Sequence, residues 1–352
     1  MAERRALIDE SAGEARGVVL LEDRPERLII RRASDPPVQM LGARSIARVR
    51  QVDQAKGFAF LEMACGTDGI LEIRGSAPAL PDGRFHAGRP VEVEVRAEAR
   101  NGKGPVLRLV GSAKGAPRLT RAGPGLTDHL ARFAPDARIE RGAAARDAAD
   151  LCEEEVLARE HALPGGGRIL IDPVAALTAV DVDLSQHRGA DTGRATLAAN
   201  LSALTTAARV LRLKGLAGLV AIDLIGAGRG RGALAAAAKK AFSPDGPEVA
   251  FAPISRFGVL ELAIPRRLAP TLERLVDEQG RLSAVALAHR LLRRLEQEAA
   301  ADRGARLCAH AAPEVVKAAS SSLPLLLEVI GQRATITADP GRPLEAFEVI
   351  AQ

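Results

Sequence analysis

Three carboxylates invite a chemical reading of this sequence. Asp181 and Asp183 stand two apart in the apolar run LTAVDVDLSQ, Leu177 to Gln186, and Asp223 follows near the end of GLVAIDLIG. A carboxylate in a dry strand shifts its pKa, finds a cation, or costs several kcal/mol. Residues two apart on a strand share a face, so Asp181 and Asp183 would aim two acids at one spot. That is tolerable where the spot holds a cation or opens to water. The other reading ends the strand at Asp181 and lets Asp183 begin the loop DLSQHRGADTG, and the decapeptide alone supports both equally.

The elements around these acids narrow the choice. After the breaker PGGG, Pro164 to Gly167, come RILID and LTAVDVDL, two strands joined by a turn around Pro173. Asp191 or Thr192 can cap a long helix to about Leu213, in which Leu197, Leu201, Leu204, Ala208 and Leu211 recur at helical spacing. A break at Lys214 and Gly215 leads into GLVAIDLIG, whose near-continuous apolar character suits a strand covered on both faces. A strand, helix, strand crossover is right-handed as a rule and sets its strands parallel and often adjacent. Asp181 and Asp223 each lie towards the carboxyl end of their strand, where open α/β sheets gather ligands. Strands about 4.8 Å apart let two such acids share a divalent cation. The pair is a stronger site hypothesis than either acid alone.

The remainder of the chain frames this segment. Its 352 residues fit two or three domains, and 47% apolar with 26% charged residues is ordinary for a globular protein. Apolar runs such as LPLLLEVI are far short of a membrane span, and MAERRALIDE lacks a signal peptide's apolar core, so a cytoplasmic location and no membrane partner are expected. Cys65, Cys152 and Cys308 form no CxxC pair or Cys/His cluster, which points away from structural zinc and from a disulfide framework. The net charge of +5 leans modestly towards an anionic partner. Trp and Tyr are absent, so any stacking on bases falls to Phe or to Arg guanidinium faces.

RALIDESAGEARGVVLLEDRPERLIIRRA reads as two or three strands, too few for a domain, that join a sheet completed later in the chain. RSIARVRQVD, GFAFLEMA, DGILEIRG, RPVEVEVRAEA and GPVLRLVG are five short strands of the kind that close a small OB-fold barrel. From Ala99 to Thr127 no acid occurs, while Arg100, Lys103, Arg108, Lys114, Arg118 and Arg121 do. After Val110 this stretch reads equally as a phosphate-facing strip or as a solvated Gly/Pro-rich linker. Ala144 to His161 is a helix candidate, and GLVAIDLIG is followed by a helix near Gly232 to Phe242 and the strands EVAFAPI and VLELAI. A last helix, Leu282 to Gln297, places Val285, Ala288, Leu292 and Leu295 on one face, with His289, Arg290, Arg293 and Arg294 read as a solvated face. A small α+β unit ends the sequence.

GGGRILIDPVAALTAVDVDLS, ANLSALTTAARVLRLKGLAGLVAIDLIG and ISRFGVLELA resemble, in order and spacing, the catalytic core of the ribonuclease E/G family of bacterial endoribonucleases. The opening strands resemble that family's, and the barrel resembles its inserted S1 domain. The resemblance runs from Ala6 to Arg267 with one large gap. It implies an α/β multidomain protein: residues 1–40 as opening strands of an RNase H-like core, 41–112 as the S1 (OB-fold) barrel, 113–163 as a linker with a shortened sensor region, 164–268 as the catalytic core with DNase I-like parts, and 269–352 as a small α+β unit. It further implies hydrolysis of single-stranded RNA by water near Mg²⁺, with Mn²⁺ as a substitute. Asp181 and Asp223 match the metal-binding aspartates, Phe60 matches an aromatic that packs on a base, and Lys103 matches a lysine that contacts RNA. Plain core packing is the alternative for Phe60, and for Phe58 it is the preferred reading.

Departures from the family pattern are equally informative. Asp183 stands where the family has an asparagine, and a third carboxylate repels a phosphate unless it is a ligand or protonated, so Asp183 is read as an auxiliary acid that works against turnover unless it is offset. Ile70 replaces a second barrel aromatic. No cysteine stands where the family has its CPxC zinc link, so an oligomer joined by zinc is not implied. Glu248 occupies the place of an arginine that reads a 5′-monophosphate, and independence from such an end is expected. An RNA-binding protein that kept this fold and lost turnover is the second hypothesis.

Overall fold

Three opening strands are set by their turns. β1 (Arg4–Ser11) leads through Ala12 and Gly13 to β2 (Glu14–Leu21), and Glu22 and Asp23, both at positive φ (50° and 59°), turn the chain into β3 (Arg24–Arg32). Two consecutive left-handed residues make a turn whose twist matches paired strands. The computed structural model describes residues 3–74, 85–100, 102–184, 192–226 and 230–352. Asp191, one of the two expected helix caps, lies outside them.

Five strands then close a barrel: β4 (Arg44–Asp53), β5 (Phe58–Glu62), β6 (Asp68–Glu72), β7 (Pro90–Ala97) and β8 (Val106–Ser112). They pair in the order β5-β6-β8-β7-β4, and β4 returns to β5. This is the closed five-stranded barrel consistent with the OB-fold expectation. Ala59, Leu61, Leu71, Val91, Val93, Val95 and Leu107 fill it. β9 (Arg118–Arg121) has all four residues exposed and pairs with β4, so this part of the acid-free stretch is an edge strand and not a linker. Glu94 draws Arg44 and Arg108 to 2.9 Å, which offsets part of that strip's positive charge.

Next come α1 (Leu126–Phe133), β10 (Ile139–Glu140) and α2 (Ala143–Leu157). β10 pairs parallel with β1, giving the sheet β10-β1-β2-β3, so the opening strands gain their later partner here and not in the sheet that carries the acids. The helix expected to reach His161 stops at Leu157, because β11 (Glu160–Ala162) pairs with the following strand.

β11 forms one edge of the six-stranded sheet that carries the acids. β12 (Arg168–Pro173) is antiparallel to β13 (Thr178–Asp183), α3 (Thr192–Lys214) crosses over, and β14 (Gly218–Asp223) lies parallel to β13. After α4 (Arg231–Phe242) the stretch EVAFAPI contributes only β15 (Ala250–Phe251), and β16 (Val259–Ile264) runs antiparallel to β14. One sheet face packs on α3 and α4 through Ile169, Val180, Val182, Leu204, Leu211, Val220, Ile222 and Phe242.

The last segment contains α5 (Thr271–Leu275), α6 (Ala284–Ala301), β17 (Leu307–Ala311), α7 (Pro313–Ala319), α8 (Leu323–Ile330), β18 (Ala334–Ala338) and β19 (Phe347–Ala351). Ser283 Oγ caps α6 by accepting from Ala286 N at 3.2 Å. His289 and Arg293 were expected on a solvated face but are buried. Arg293 Nη1 donates to Glu14, which also accepts from Arg32 Nε at 2.8 Å, so the buried charge is matched. Burial, with the Arg32 and Arg293 charges, lowers the His289 imidazole below its ordinary pKa despite the opposing pull of Glu14.

The chain divides into two compact units. One comprises Met1–Arg5, Val18–Leu28 and Asp147–Leu272, and the other Ala6–Gly17, Ile29–Arg146 and Glu273–Gln352. Among the described residues no helix is long and apolar enough to cross a membrane.

Candidate functional site

Alternation along β13 decides where its acids point. Thr178, Val180 and Val182 are buried, Asp181 is exposed and Asp183 is half-buried. Along β14 the same period buries Gly218, Val220 and Ile222 and exposes Asp223. The carboxylates therefore avoid the dry face on α3, and the open face of the sheet carries them at little desolvation cost.

Register then sets them side by side. Leu170, Asp181, Asp223 and Val259 are successive Cα partners across β12, β13, β14 and β16. Two like charges thus occupy neighbouring positions about 4.8 Å apart in strand spacing, between apolar neighbours. Among the described residues no ion pair or hydrogen bond engages either carboxylate. That arrangement fits a hard divalent cation, which takes oxygen ligands and retains waters. Among the described residues no group of three or more His, Cys, Asp or Glu side chains is placed to hold a metal ion. Two carboxylates with water or a phosphate oxygen would complete the coordination of Mg²⁺.

Asp183 is one further pair along the same face, with a different partner. Arg168, its Cα partner on β12, donates from Nε to Asp183 Oδ2 at 3.0 Å and from Nη1 to Glu160 Oε2 at 2.8 Å. Its guanidinium pKa is raised, first by the Asp183 hydrogen bond and then by the Glu160 charge. The third acid is thereby offset by a fixed cation.

Asn200 positions the chain beyond Asp223. It is buried in α3, its Nδ2 donates to Ile225 O at 2.8 Å, and its Oδ1 accepts from Ile225 N at 3.1 Å. An amide is the side chain that meets a backbone donor and acceptor together. A signal for it was present: Asn200 sits on the apolar stripe of Leu197, Leu201 and Leu204, where a polar residue needs a partner. Arg168 gave no such signal, because its role depends on strand register.

Phe60 and Lys103 belong to the barrel, in the other unit. Phe60 faces outward with Phe58, while Ala59 and Leu61, at the alternate positions, are buried. Core packing is excluded for Phe58, which is 39% exposed. Phe60 is opposite Ile70, and Ile70 is opposite Val106, an apolar row across β5, β6 and β8. Lys103 is exposed in the turn before β8, bridged to Arg100. A Cβ at the next residue, Gly104, would collide with Asp68 O, so glycine allows this turn to close on β6.

Fold and site together define an α/β protein with a paired-carboxylate site on an open sheet face. Residues 148–267, the segment that contains both acids, match the Ribonuclease E/G family. The chain is 40% identical over 122 residues to Ribonuclease E of Haemophilus influenzae, a match covering 34% of this chain and 13% of that protein. It is 38% identical over 122 residues to Ribonuclease E of Escherichia coli, covering 34% of this chain and 11% of that protein, and 35% identical over 108 residues to Ribonuclease E of a Nostoc species. The chain thus matches only a small part of these curated relatives, and its barrel and opening strands lie outside the 148–267 segment.

Proposed function

We propose that this protein is a divalent-metal-dependent endoribonuclease that hydrolyses single-stranded RNA. One observation carries the reading: Asp181 and Asp223 stand opposite each other at the carboxyl ends of parallel strands, exposed and without an ion pair among the described residues. In this reading residues 164–268 form an RNase H-like/DNase I-like catalytic core, the barrel is an S1 RNA-binding domain with Phe60 and Lys103 as contacts, and the protein acts in the cytoplasm.

Asp181 and Asp223 would hold Mg²⁺, or Mn²⁺ in its place. The cation supplies Lewis-acid stabilisation of charge on phosphate oxygens and lowers the pKa of bound water. The protein's own residues do the rest. Leu170 and Val259 limit water beside the pair, Arg168 keeps the Asp183 charge from opposing the phosphate, and Asn200 fixes the backbone beyond β14 so that Asp223 keeps its place. A second reading, an RNA-binding protein without turnover, is favoured by the carboxylate at Asp183, and its ion pair with Arg168 weakens that argument.

The test incubates single-stranded RNA with the protein in Mg²⁺, Mn²⁺ or EDTA, beside the Asp181→Asn, Asp223→Asn double variant. Metal-dependent cleavage that the double variant loses by at least about 100-fold is expected. Binding without cleavage by the wild type in either metal would leave the second reading, and cleavage unchanged in the variant would remove the acid pair from the mechanism.

A further inference from the structure

At the same end of the sheet as the acid pair, the chain exposes the most solvent-accessible large apolar side chain among the described residues. Phe257 is 76% exposed in the turn between β15 and β16. Two residues on is Val259, the Cα partner of Asp223, a backbone distance of at most about 7 Å. Leu224 N donates to Gly258 O at 3.3 Å, so the turn is tied directly to the residue after Asp223.

This turn is built, not slack. Ser255 Oγ accepts from Phe257 N at 3.3 Å and from Val259 N at 3.2 Å, Gly258 N donates to Ser255 O at 3.1 Å, and Ser255 N donates to Val259 O at 2.9 Å. Gly258 has φ +95°, a conformation that favours glycine, and Ile254 is buried at the base of the turn. Leaving a phenyl ring in water on so well-held a turn gains nothing for folding.

Arg256 sits over that ring, its guanidinium carbon 4.7 Å from the centroid, which leaves the opposite face open. No ion pair among the described residues occupies the guanidinium. One flat apolar face backed by a free cation is suited to a nucleobase with an adjoining phosphate: the base stacks on the ring and the phosphate meets the charge. An aliphatic side chain would serve non-specific burial equally well and would not recruit an arginine to its face.

We propose that Phe257 and Arg256 form a nucleotide clamp, in which the ring stacks a base of the RNA strand next to the scissile phosphate and Arg256 contacts a neighbouring phosphate. The clamp holds the strand across Asp181 and Asp223. It deepens the ribonuclease reading and rests on it for the identity of the ligand.

The chain contains neither Trp nor Tyr, so Phe257→Trp places a single indole at the proposed stacking site. In EDTA, a short oligoadenylate is expected to quench that indole to saturation, and an abasic ribose-phosphate oligomer of equal length is expected not to. With cleavage followed in Mg²⁺, Phe257→Ala should raise KM about tenfold or more while kcat changes little, and Phe257→Trp should restore KM. Arg256→Gln should weaken oligoadenylate binding and reduce the slope of log affinity against log salt by about one phosphate contact. Quenching equal for the abasic oligomer, or KM unchanged in Phe257→Ala while the wild type cleaves RNA, overturns the clamp and leaves the nuclease reading intact. Base-dependent quenching in a protein that cleaves nothing supports the clamp and refutes the nuclease reading.

Discussion

Arg168 and Asp183 face each other across β12 and β13 and are joined by a 3.0 Å hydrogen bond from Nε to Oδ2. The pair explains how a third acid can sit beside Asp181 without leaving a bare triple charge. A phosphate approaching Asp181 and Asp223 meets Asp183 only together with its guanidinium.

Breaking that pair from either side should have opposite consequences. Asp183→Asn removes a negative charge and leaves Arg168 bound to Glu160, so cleavage is expected to be preserved or raised. Arg168→Gln strips Asp183 of its cation and is expected to slow cleavage about tenfold through repulsion of the phosphate. The double variant Arg168→Gln, Asp183→Asn should recover most of that loss. Initial rates for the four proteins form a cycle, and equal losses in the single Arg168 variant and the double variant would show that Asp183 has no part in the effect.

Asn200 tests a positioning role. Asn200→Leu keeps the volume but abandons both bonds to Ile225, which should cost about 1–3 kcal/mol of stability, since a half-buried backbone donor and acceptor lose their partners. Cleavage should fall well beyond the loss of folded protein, because the segment after Asp223 is no longer pinned, while RNA affinity stays within about twofold. Urea unfolding and anisotropy with labelled RNA measure the two effects separately. A cleavage loss matched by the loss of folded protein would reduce Asn200 to a packing residue.

How much of this was legible follows from the range of each interaction. The acid pair was readable because it rests on two local rules, strand alternation and the parallel crossover, and the structure seats Asp181 opposite Asp223. The barrel strands were readable for the same reason. β9 was not, because its Gly- and Pro-rich flanks look like linker and its pairing with β4 reaches far along the chain. His289 and Arg293 were misplaced on a solvated face because Glu14, which receives Arg293, lies 279 residues away in sequence. Phe58 was misplaced because a phenyl ring on a short strand signals burial, and only the burial of Ala59 and Leu61 shows that the face it shares with Phe60 is the outer one.

The outer face of the barrel yields a separation of function from stability. Phe58→Ala and Phe60→Ala remove rings that lie outside the barrel core, so each should change stability by less than about 1 kcal/mol. If these rings stack on RNA bases, each loss should weaken binding by about 1–3 kcal/mol. Leu61→Ala, next to Phe60 on the opposite face of the strand and fully buried, should cost about 2–5 kcal/mol of stability. Thermal melts paired with RNA titrations read both quantities, and stability losses for Phe58→Ala comparable to Leu61→Ala would contradict the outward placement.

Glu155 should make the stability of the unit that carries Asp181 and Asp223 fall at low pH. Burial works to raise its pKa from 4.5, but His161 and Arg209 overcome it and hold the carboxyl at about 2. The His161 contact, at 3.7 Å, is too long for a hydrogen bond, so the 2.6 Å bond from Arg209 Nη2 is the stronger hold. The folded state therefore binds this proton less readily than the unfolded chain. Its contribution is complete above pH 4.5 and is lost as pH falls towards 2, up to about 3 kcal/mol in all. Glu155→Gln lacks that titration, so the wild-type advantage over the variant in urea unfolding should shrink steadily across this window and stay constant above it. An advantage that is the same at about pH 6 and about pH 2.5 would show that Glu155 is not held ionised by Arg209 in the folded protein.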